Sequence, residues 1–489
     1  MSVLKKLASQ TAVYGLSSVL GRMLNYLLVP LYTSVFAPGE YGVVTELYAY
    51  VAFLNVFFIY GLETAYFRFS SQSNGYNYFN LALTSILVSS IVFAGVIFLF
   101  SDGIASILDY PEKGNLIRWL ALILAVDAIV AIPFARLRQE GKAYNFAVYK
   151  LSNIGINIFL NLFFLLACPS IIESNPDHIL SNVYNPALGI GYVFLSNLIA
   201  NGLYILFFTK TWFRLKITFN TTEWKRMMQY AWPVLIIGFA GVTNEMLSRA
   251  ILKYRLPEGF YEGYTNLESL GIFGACYKLS VFMTLAVQAF RYAFEPFFFA
   301  QASDKNSPKL FAQIMYWFVI FTGFSWLAVS VFLPQIAPLF LRQSSYLEAL
   351  NTVPWLLGGG LMLGVFYNLS LWYKLTDKTL YGAYISIIGA VATFILNWWL
   401  IPIFGYMGSA VATFSTYSLM VFISFFWGRK HYPVPYEVCK ILGYILLVVG
   451  GILLNNYLPQ SIISSIAILF SFCMLILLFN YRRIKAKKG

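Results

Sequence analysis

The fold class that this sequence predicts is an all-α polytopic membrane protein with about fourteen transmembrane helices. Of the 489 residues, 59% are hydrophobic and only 11% are charged, and the mean hydropathy is +0.70. A water-soluble domain carries roughly 25% charged residues, so this composition excludes a soluble core. The apolar residues also form long runs, and a single crossing of a bilayer needs roughly 20 mainly apolar residues.

Apolar runs bounded by Pro, Gly and charged residues are the predicted helices. They cover residues 11–35, 42–68, 79–100, 115–137, 145–168, 188–209, 228–252, 269–300, 309–333, 350–373, 379–403, 405–427, 440–457 and 461–480. The first run follows Lys5 and Lys6, as a signal peptide would, but it continues past Val35 without a small-residue cleavage pattern. We therefore expect it to be the first membrane helix.

The placement of the 33 Lys and Arg residues predicts the orientation of these helices. If the N-terminus is cytoplasmic, the cytoplasmic junctions and both tails hold most of the basic residues, Lys150 among them. The opposite side holds only Lys113, Arg118, Lys253, Arg255 and Arg342. Because cytoplasmic loops are enriched in Lys and Arg, the net charge of +13 indicates topology rather than nucleic-acid binding. We expect both termini in the cytoplasm.

Matched residues in the two halves of the chain predict an internal repeat. Lys142 and Lys378 are 236 positions apart, and Gly21 and Gly241 are 220 positions apart. Six predicted helices separate the copies, so both halves enter the membrane in the same orientation, which predicts two six-helix lobes in a parallel repeat plus two C-terminal helices. The predicted divisions are an N-lobe at 1–209, a cytoplasmic linker at 210–226, a C-lobe at 227–428, and the last two helices with a basic tail at 429–489.

No motif of a soluble enzyme is present. The sequence lacks a Walker A motif, HExxH and GxSxG, and its two histidines, His178 and His431, fall in predicted loops. Its four cysteines are far apart, so we expect buried free thiols rather than disulfides or a metal site. The longest external loops, about 169–187 and 253–268, are too short for a catalytic domain. We expect a transporter without a cofactor, driven by a Na⁺ or H⁺ gradient, the membrane potential or substrate flux.

Cations inside predicted helices are the first candidate site residues. A charge in hydrocarbon costs about 2.5–3.5 kcal/mol on insertion scales unless it meets water or a partner. Arg22, Arg249, Lys278 and Arg291 are such residues, and Arg22 and Lys278 have no opposite charge at helical spacing in their own helices. Arginine binds phosphate through a bidentate fork. We therefore predict a cationic cavity suited to phosphate groups; the alternative for Arg22 and Lys278 is pairing with Glu or Asp on a neighbouring helix.

Acidic residues inside predicted helices are candidates for contacts with an ion or a sugar. Glu245 and Glu295 are each four residues from an arginine of the same helix, so mutual neutralisation is the simpler interpretation of these pairs. Asp127 is the sole acid near the middle of the membrane in the first half. It predicts a proton or sodium site, although pairing with Arg22 would explain it as well.

Asparagines form a stripe on two predicted helices. Asn153, Asn157 and Asn161 recur every four residues in the fifth helix, and Asn197 and Asn201 do so in the sixth. Such a stripe does not face lipid. Hydrogen bonds between helices are the simpler interpretation, and contact with sugar hydroxyls or a cation is the functional one.

The opening residues carry a family resemblance. Leu7 to Gly15, Gly21-Arg22 and, above all, the stretch Ala-Pro-Gly-Glu-Tyr-Gly at 37–42 resemble the polysaccharide biosynthesis (Wzx-type oligosaccharide flippase) family. The likeness in helix number, lobes, short loops and basic cytoplasmic side extends over the whole length. It implies the fold of the multidrug/oligosaccharidyl-lipid/polysaccharide exporter superfamily, with alternating access between two lobes. It also implies residence in the bacterial cytoplasmic (inner) membrane.

The resemblance implies an undecaprenyl-diphosphate-linked oligosaccharide as cargo, for a surface polysaccharide such as O-antigen. Members of the family are similar in placing cations between the lobes, and Arg22 and Arg249 lie in the first helix of each predicted lobe. Expected partners are membrane lipids and a polysaccharide polymerase or glycosyltransferases, with no nucleic acid. The alternatives are a lipid II flippase or a cation-coupled multidrug exporter of the same superfamily, and, from another class, an integral-membrane glycan polymerase or glycosyltransferase.

Overall fold

The computed structural model describes residues 15, 19–71, 77–300, 306–459 and 461–486. This part of the chain is helical and contains no β-strand. Twelve of its helices are long and apolar enough to cross a membrane, and a shorter apolar helix at Gly191–Phe207 corresponds to the sixth predicted crossing. The predicted all-α polytopic fold is confirmed. The first half of the predicted run 11–35, and Lys5 and Lys6 before it, lie mostly outside the described residues.

The chain folds as two compact units, Met1–Ala250 and Ile251–Gly489. The boundary lies inside one long helix, Thr221–Arg255. The predicted lobe bounds, the internal repeat and the cytoplasmic position of both termini stay predictions.

The first unit holds eleven labelled helices among its described residues. They are α1 (Leu28–Val35), α2 (Pro38–Ile59), α3 (Leu62–Ser71), α4 (Tyr78–Leu99), α5 (Ser101–Ile107), α6 (Gly114–Gln139), α7 (Ala143–Leu162), α8 (Cys168–Ser174), α9 (Gly191–Phe207), α10 (Thr209–Phe213) and α11 (Thr221–Arg255), whose last turn enters the second unit. A π-helical turn, Phe163–Ala167, joins α7 to α8, and two 3₁₀ turns, Ile179–Asn182 and Pro186–Leu188, precede α9.

The motif at 37–42 forms the start of α2. Pro38 occupies the first helical position, where its fixed φ suits the helix and its missing N–H costs nothing. The Glu40 carboxylate accepts a hydrogen bond from the Ala37 N–H at 3.2 Å, and its charge is favourable at a helix N-terminus. Tyr41 and Gly42 are buried. The residues that carry the family resemblance thus fix where the second membrane helix begins.

A buried apolar cluster joins α2, α3, α4, α6 and α11. Phe58, Leu83 and Leu124 are each at most 1% exposed, and Ala231 of α11 is fully buried in the same cluster. Gly61, which separates α2 from α3, has a φ of +72°, and a side chain there would meet the backbone carbonyl oxygen of Ala231. Glycine is therefore required at this break by both conformation and space.

The second unit holds the remaining labelled helices of the described chain. They are α12 (Asn266–Ala300), α13 (Ser307–Val331), α14 (Leu333–Phe340), α15 (Val353–Leu369), α16 (Leu371–Leu375), α17 (Leu380–Phe404), α18 (Tyr406–His431), α19 (Val438–Tyr457) and α20 (Ile462–Ala486). A 3₁₀ segment, Ser344–Thr352, precedes α15.

Small residues let α15 pack closely against its neighbours. Gly358, Gly359 and Gly360 are buried, and a side chain at Gly358 would collide with the Trp326 ring. Without a hydrophobic driving force between helices in lipid, close backbone approach of this kind contributes to association. The glycine run explains why α15 occupies the interior of the unit.

All four cysteines are free, as predicted. Cys168 and Cys276 are buried, whereas Cys473 is half-buried and Cys439 is exposed. The prediction that they would all be buried is therefore wrong for Cys439, because it lies in the first turn of α19 rather than inside an apolar run.

A buried polar triad attaches the last two helices to α13. The Tyr316 hydroxyl lies 2.6 Å from the Tyr444 hydroxyl and donates to Asn480 Oδ1, while Asn480 Nδ2 donates to the Tyr444 hydroxyl at 2.9 Å. All three residues are at most 5% exposed. Polar groups in hydrocarbon must find partners inside the protein, so the triad fixes α19 and α20 on α13.

Replacing Tyr316 by phenylalanine should loosen this attachment. The Y316F change leaves Tyr444 and Asn480 without a shared buried partner, and we expect a loss of about 1 kcal/mol in the free energy of unfolding. Unfolding of the purified protein in mixed micelles measures it. The control is Y457F, because Tyr457 is 87% exposed; equal stability of both variants and the wild type would contradict the structural role of the triad.

Candidate functional site

A chain of hydrogen bonds links three helices inside the first unit. Asn153 Nδ2 of α7 donates to Asn201 Oδ1 of α9 at 3.0 Å. Asn201 Nδ2 in turn donates to Asp127 Oδ1 of α6 at 3.0 Å. Asn153 and Asn201 are buried, at 9% and 4% exposure. The carboxylate of Asp127 therefore ends a directed relay, and the interhelical role predicted for these asparagines is present.

Lys150 supplies the positive charge beside this relay. Its ammonium lies 4.4 Å from the ring centroid of Phe134 and 5.1 Å from that of Tyr204, where cation–π attraction stabilises it. Lys150 and Asp127 act on each other electrostatically, without a direct ion pair between them. We call Asp127, Lys150, Asn153 and Asn201 the polar network.

Lys150 was not predicted as a site residue, because its charge placed it with the cytoplasmic loops. The signal was present, since Lys150 lies inside the predicted run 145–168 and three residues before Asn153. Residues three apart share a helix face. In the structure α7 begins at Ala143, so Lys150 is two turns inside the helix.

The asparagine stripe continues beyond the polar network through tyrosine hydroxyls. Asn197 Nδ2 donates to the Tyr48 hydroxyl of α2 at 2.8 Å, and the Tyr32 hydroxyl of α1 donates to Asn161 Oδ1 at 2.9 Å. Asn161 Nδ2 donates to the Asn157 carbonyl oxygen at 2.8 Å. These bonds hold α1 and α2 against the helices that carry the polar network.

The short turn between α6 and α7 fixes the register of Asp127 against Asn153. The Glu140 carboxylate pairs with Arg136 at 2.6 Å and with Lys142 at 2.6 Å. Partial burial by itself raises the pKa of Glu140. Hydrogen bonds and charge from Lys142 and Arg136 outweigh this effect and hold the pKa below its ordinary value. A further ion pair, between Arg138 and Glu63, ties this turn to α3.

Arg22 does not join the polar network. It lies in a helical segment and its side chain is exposed, and among the described residues no ion pair joins it to Asp127 or to any other acid. The neighbours of Asp127 are Asn201 and Lys150. Pairing with Arg22 is therefore not the explanation of Asp127, and Arg22 remains available to an anion.

Arg249 and Glu245 are linked differently from the predicted ion pair. The Arg249 guanidinium is 8% exposed, and its Nη2 donates to the backbone carbonyl oxygen of Glu245 at 2.8 Å. The Glu245 side chain is exposed and forms no ion pair with any described residue. A helical spacing of four placed the two residues on one face, but the carboxylate extends outward and the guanidinium inward.

The two predicted cations of the second unit lie far apart on α12. Lys278 is half-buried, and Arg291 follows it by 13 residues, or about 20 Å along a helix axis. The Arg291 guanidinium lies 4.9 Å from the ring centroid of Tyr367. Arg291 also lines a small cavity of ≈ 20 Å³ with Asn368 and Lys374. Lys278 and Arg291 therefore lie at two separate sites within this unit.

The predicted pair of Arg291 and Glu295 falls partly outside the described residues, because the side chain of Glu295 is among those not described. The roles of the predicted site residues in binding stay predictions. What the structure brings together is Asp127, Asn153 and Asn201, with Lys150 beside them.

Residues 35–172 match the model of a family described as polysaccharide biosynthesis protein. No curated protein sequence matches the chain. Among solved structures, a lipid II flippase MurJ in an inward closed conformation is 14% identical, with a TM-score of 0.71 over 96% of this chain and 99% of that one. A MATE transporter in a straight conformation is 14% identical, with a TM-score of 0.58 over 90% and 96%.

A mutant of the Vibrio cholerae MATE transporter VcmN is 13% identical, with a TM-score of 0.57 over 88% of this chain and 98% of that one. Identities this low show a shared fold alone. These neighbours are a flippase and MATE transporters. The resemblance predicted from the sequence is confirmed: residues 35–172 match the polysaccharide biosynthesis protein family, and the chain has the fold that MurJ and the MATE transporters share within the MOP exporter superfamily.

Proposed function

We propose that this protein is a flippase that moves an undecaprenyl-diphosphate-linked oligosaccharide across the bacterial cytoplasmic membrane by alternating access. The observation that carries the proposal is the match of residues 35–172 to the polysaccharide biosynthesis protein family, within a fold that a lipid II flippase shares. The product serves a surface polysaccharide such as O-antigen. A polymerase or glycosyltransferase would use the exported unit.

The diphosphate requires a cation at membrane depth, and Arg22 is the residue that best supplies it. Its exposed guanidinium has no acidic partner among the described residues, and a guanidinium binds phosphate oxygens in a bidentate fork. Arg249 in the first unit, and Lys278 and Arg291 in the second, are the further candidates for contact with the diphosphate.

Replacing Arg22 by alanine should abolish glycan export. We expect R22A to lower export more than tenfold, and R22K to retain part of it, because lysine keeps the charge but loses the fork. Complementation of a deletion strain, with the surface glycan quantified at equal amounts of membrane-inserted protein, measures the effect. The control is R118A, whose arginine pairs with Asp102 at 2.6 Å on the first unit's surface; full export by R22A would refute the cationic site.

We further propose that the polar network couples transport to protons. Asp127 can be ionised opposite Lys150 or protonated beside it, so its protonation changes the charge of a buried site by one unit. Asn201 directs its N–H₂ group at Asp127, and its oxygen accepts a hydrogen bond from Asn153. Few oxygen ligands then remain for Na⁺, which favours a proton over sodium as the coupling ion.

Replacing Asp127 by asparagine should uncouple the transporter. D127N removes the titratable group but keeps the hydrogen bond from Asn201, so we expect transport in proteoliposomes to lose its dependence on a pH gradient. The control is D102N, because Asp102 is an exposed acid outside the polar network. An unchanged pH-gradient dependence in D127N would contradict proton coupling at this residue, and a dependence on a Na⁺ gradient in the wild type would favour sodium.

A lipid II flippase is the second candidate function, because the fold matches MurJ with a TM-score of 0.71. Deletion of the gene separates the two. Loss of a surface glycan, with its undecaprenyl-diphosphate-linked unit accumulating on the cytoplasmic side of viable cells, supports the oligosaccharide flippase. Arrest of cell-wall synthesis supports the lipid II flippase, and an unchanged glycan profile with greater sensitivity to cationic drugs supports a multidrug exporter.

A further inference from the structure

A large apolar cavity lies inside the first unit. Its volume is ≈ 470 Å³, and its walls are hydrocarbon from α2, α4, α5 and α6, with Ala250 of α11 at one side. Leu54, Ile97, Ile104 and Ala121 are among the residues that line it. We call it the tail cavity. The polar network does not contribute to it.

Water is a poor occupant of this space. A cavity holds ordered water when two to four polar groups can bond to it, whereas an apolar cavity of about 150 Å³ stays dry and binds benzene. The tail cavity is about three times that volume and has apolar walls. A hydrocarbon ligand is therefore the occupant that its chemistry fits.

The tail cavity lies toward the external face in the orientation predicted from charge. Its lining includes Ile104 and Leu108 at the short helix α5 and Ile117 near the start of α6. The segment between these two helices carries Lys113, which is one of the few basic residues assigned to the external side. The cavity thus faces the leaflet that would receive an exported lipid.

The tail cavity lies on the less exposed side of α4. Val92, Val96 and Leu99 of α4 are 54%, 51% and 81% exposed, and this outer face suits the acyl chains of surrounding lipid. Ile97 points the other way and lines the cavity. Val51 and Leu54 of α2, also in the lining, are only half-buried, so the cavity is accessible along α2.

A buried acid marks the polar end of the cavity. Glu46 is fully buried, and its carboxylate accepts hydrogen bonds from the Tyr50 hydroxyl at 2.8 Å and from the Tyr110 hydroxyl. Tyr50 also lines the cavity. Glu46 and the two tyrosine hydroxyls make this edge polar, so the apolar surface that could hold a hydrocarbon chain ends here.

We propose that the tail cavity binds a segment of the polyprenyl chain of the cargo as the lipid reaches the external leaflet. This inference rests on the proposed function and assigns a site to the part of the cargo that the cations do not contact. The interior position favours a lipid that enters the protein over bulk phospholipid. A broad chamber walled by several helices also suits a methyl-branched chain, which is thicker than a linear acyl chain.

Photo-cross-linking in proteoliposomes of the full chain tests the proposal. One probe is undecaprenyl diphosphate with a diazirine in its chain, and the other is a phospholipid with a diazirine in an acyl chain. We expect the polyprenyl probe to label residues 47–54 and 117–124, and unlabelled undecaprenyl diphosphate to compete at least tenfold. The phospholipid probe should label the outer face of α4. Equal labelling of the cavity by the phospholipid, or no labelling by either probe, would overturn the proposal.

Two pairs of variants test whether the polyprenyl probe cross-links inside the tail cavity. A121F fills the cavity, whereas its control L122F adds a ring to a neighbouring residue that is 41% exposed and outside the lining. We expect polyprenyl labelling to fall about tenfold in A121F and to stay unchanged in L122F. Because a filled core can misfold, I104N makes the half-buried edge of the cavity polar, with I107N as its control on the same helix, where Ile107 is 79% exposed.

A transport assay with two chain lengths separates this inference from the proposed function. Glycans on an undecaprenyl and on a ten-carbon prenyl diphosphate are compared in wild type and A121F. A tail site predicts that A121F lowers transport of the long-chain cargo alone, and equal loss for both chains would overturn it. If the wild type transports neither cargo, the proposed function fails, while the cross-linking pattern still decides whether the cavity takes a polyprenyl chain.

Discussion

The constraint on which the structure depends is that polar groups inside a bilayer must find partners within the protein. It explains why several buried amides and hydroxyls of the described helices bond to one another across helices. Asn153, Asn201 and Asp127 form one such set in the first unit. In the second unit, Tyr316 of α13 forms hydrogen bonds with Tyr444 of α19 and Asn480 of α20. Each set fixes three helices in one register, which apolar side chains facing equally apolar lipid could not do.

The same constraint separates two kinds of interior space in the first unit. The polar network keeps the opposite charges of Asp127 and Lys150 close together inside the unit, which lowers the cost of burying either one. The tail cavity has apolar walls and a buried acid at its edge. One space is therefore polar and the other is hydrocarbon, and the proposed transport of a lipid-linked glycan would use both.

Hydropathy predicted the helices well because the bilayer sets their length, but it placed the start of the second helix at residue 42, whereas α2 begins at Pro38. Side-chain partners were less predictable. Glu245 and Arg249 have the spacing of an ion pair, yet the guanidinium bonds a backbone carbonyl oxygen instead. Lys150 was assigned to a loop by its charge, although its partners, Phe134 and Tyr204, lie on other helices. Periodicity within one helix does not determine which neighbouring helix it faces.

The central claim is that the protein moves a lipid-linked glycan, and the most direct test is flipping by the purified chain in proteoliposomes. A fluorescent undecaprenyl-diphosphate-linked oligosaccharide is placed in both leaflets, and a membrane-impermeant glycosidase outside reports how much becomes accessible. The account predicts that cleavage proceeds past the half of the cargo that starts in the outer leaflet. Cleavage that stops at this half, with a cationic dye transported by the same vesicles, would contradict it.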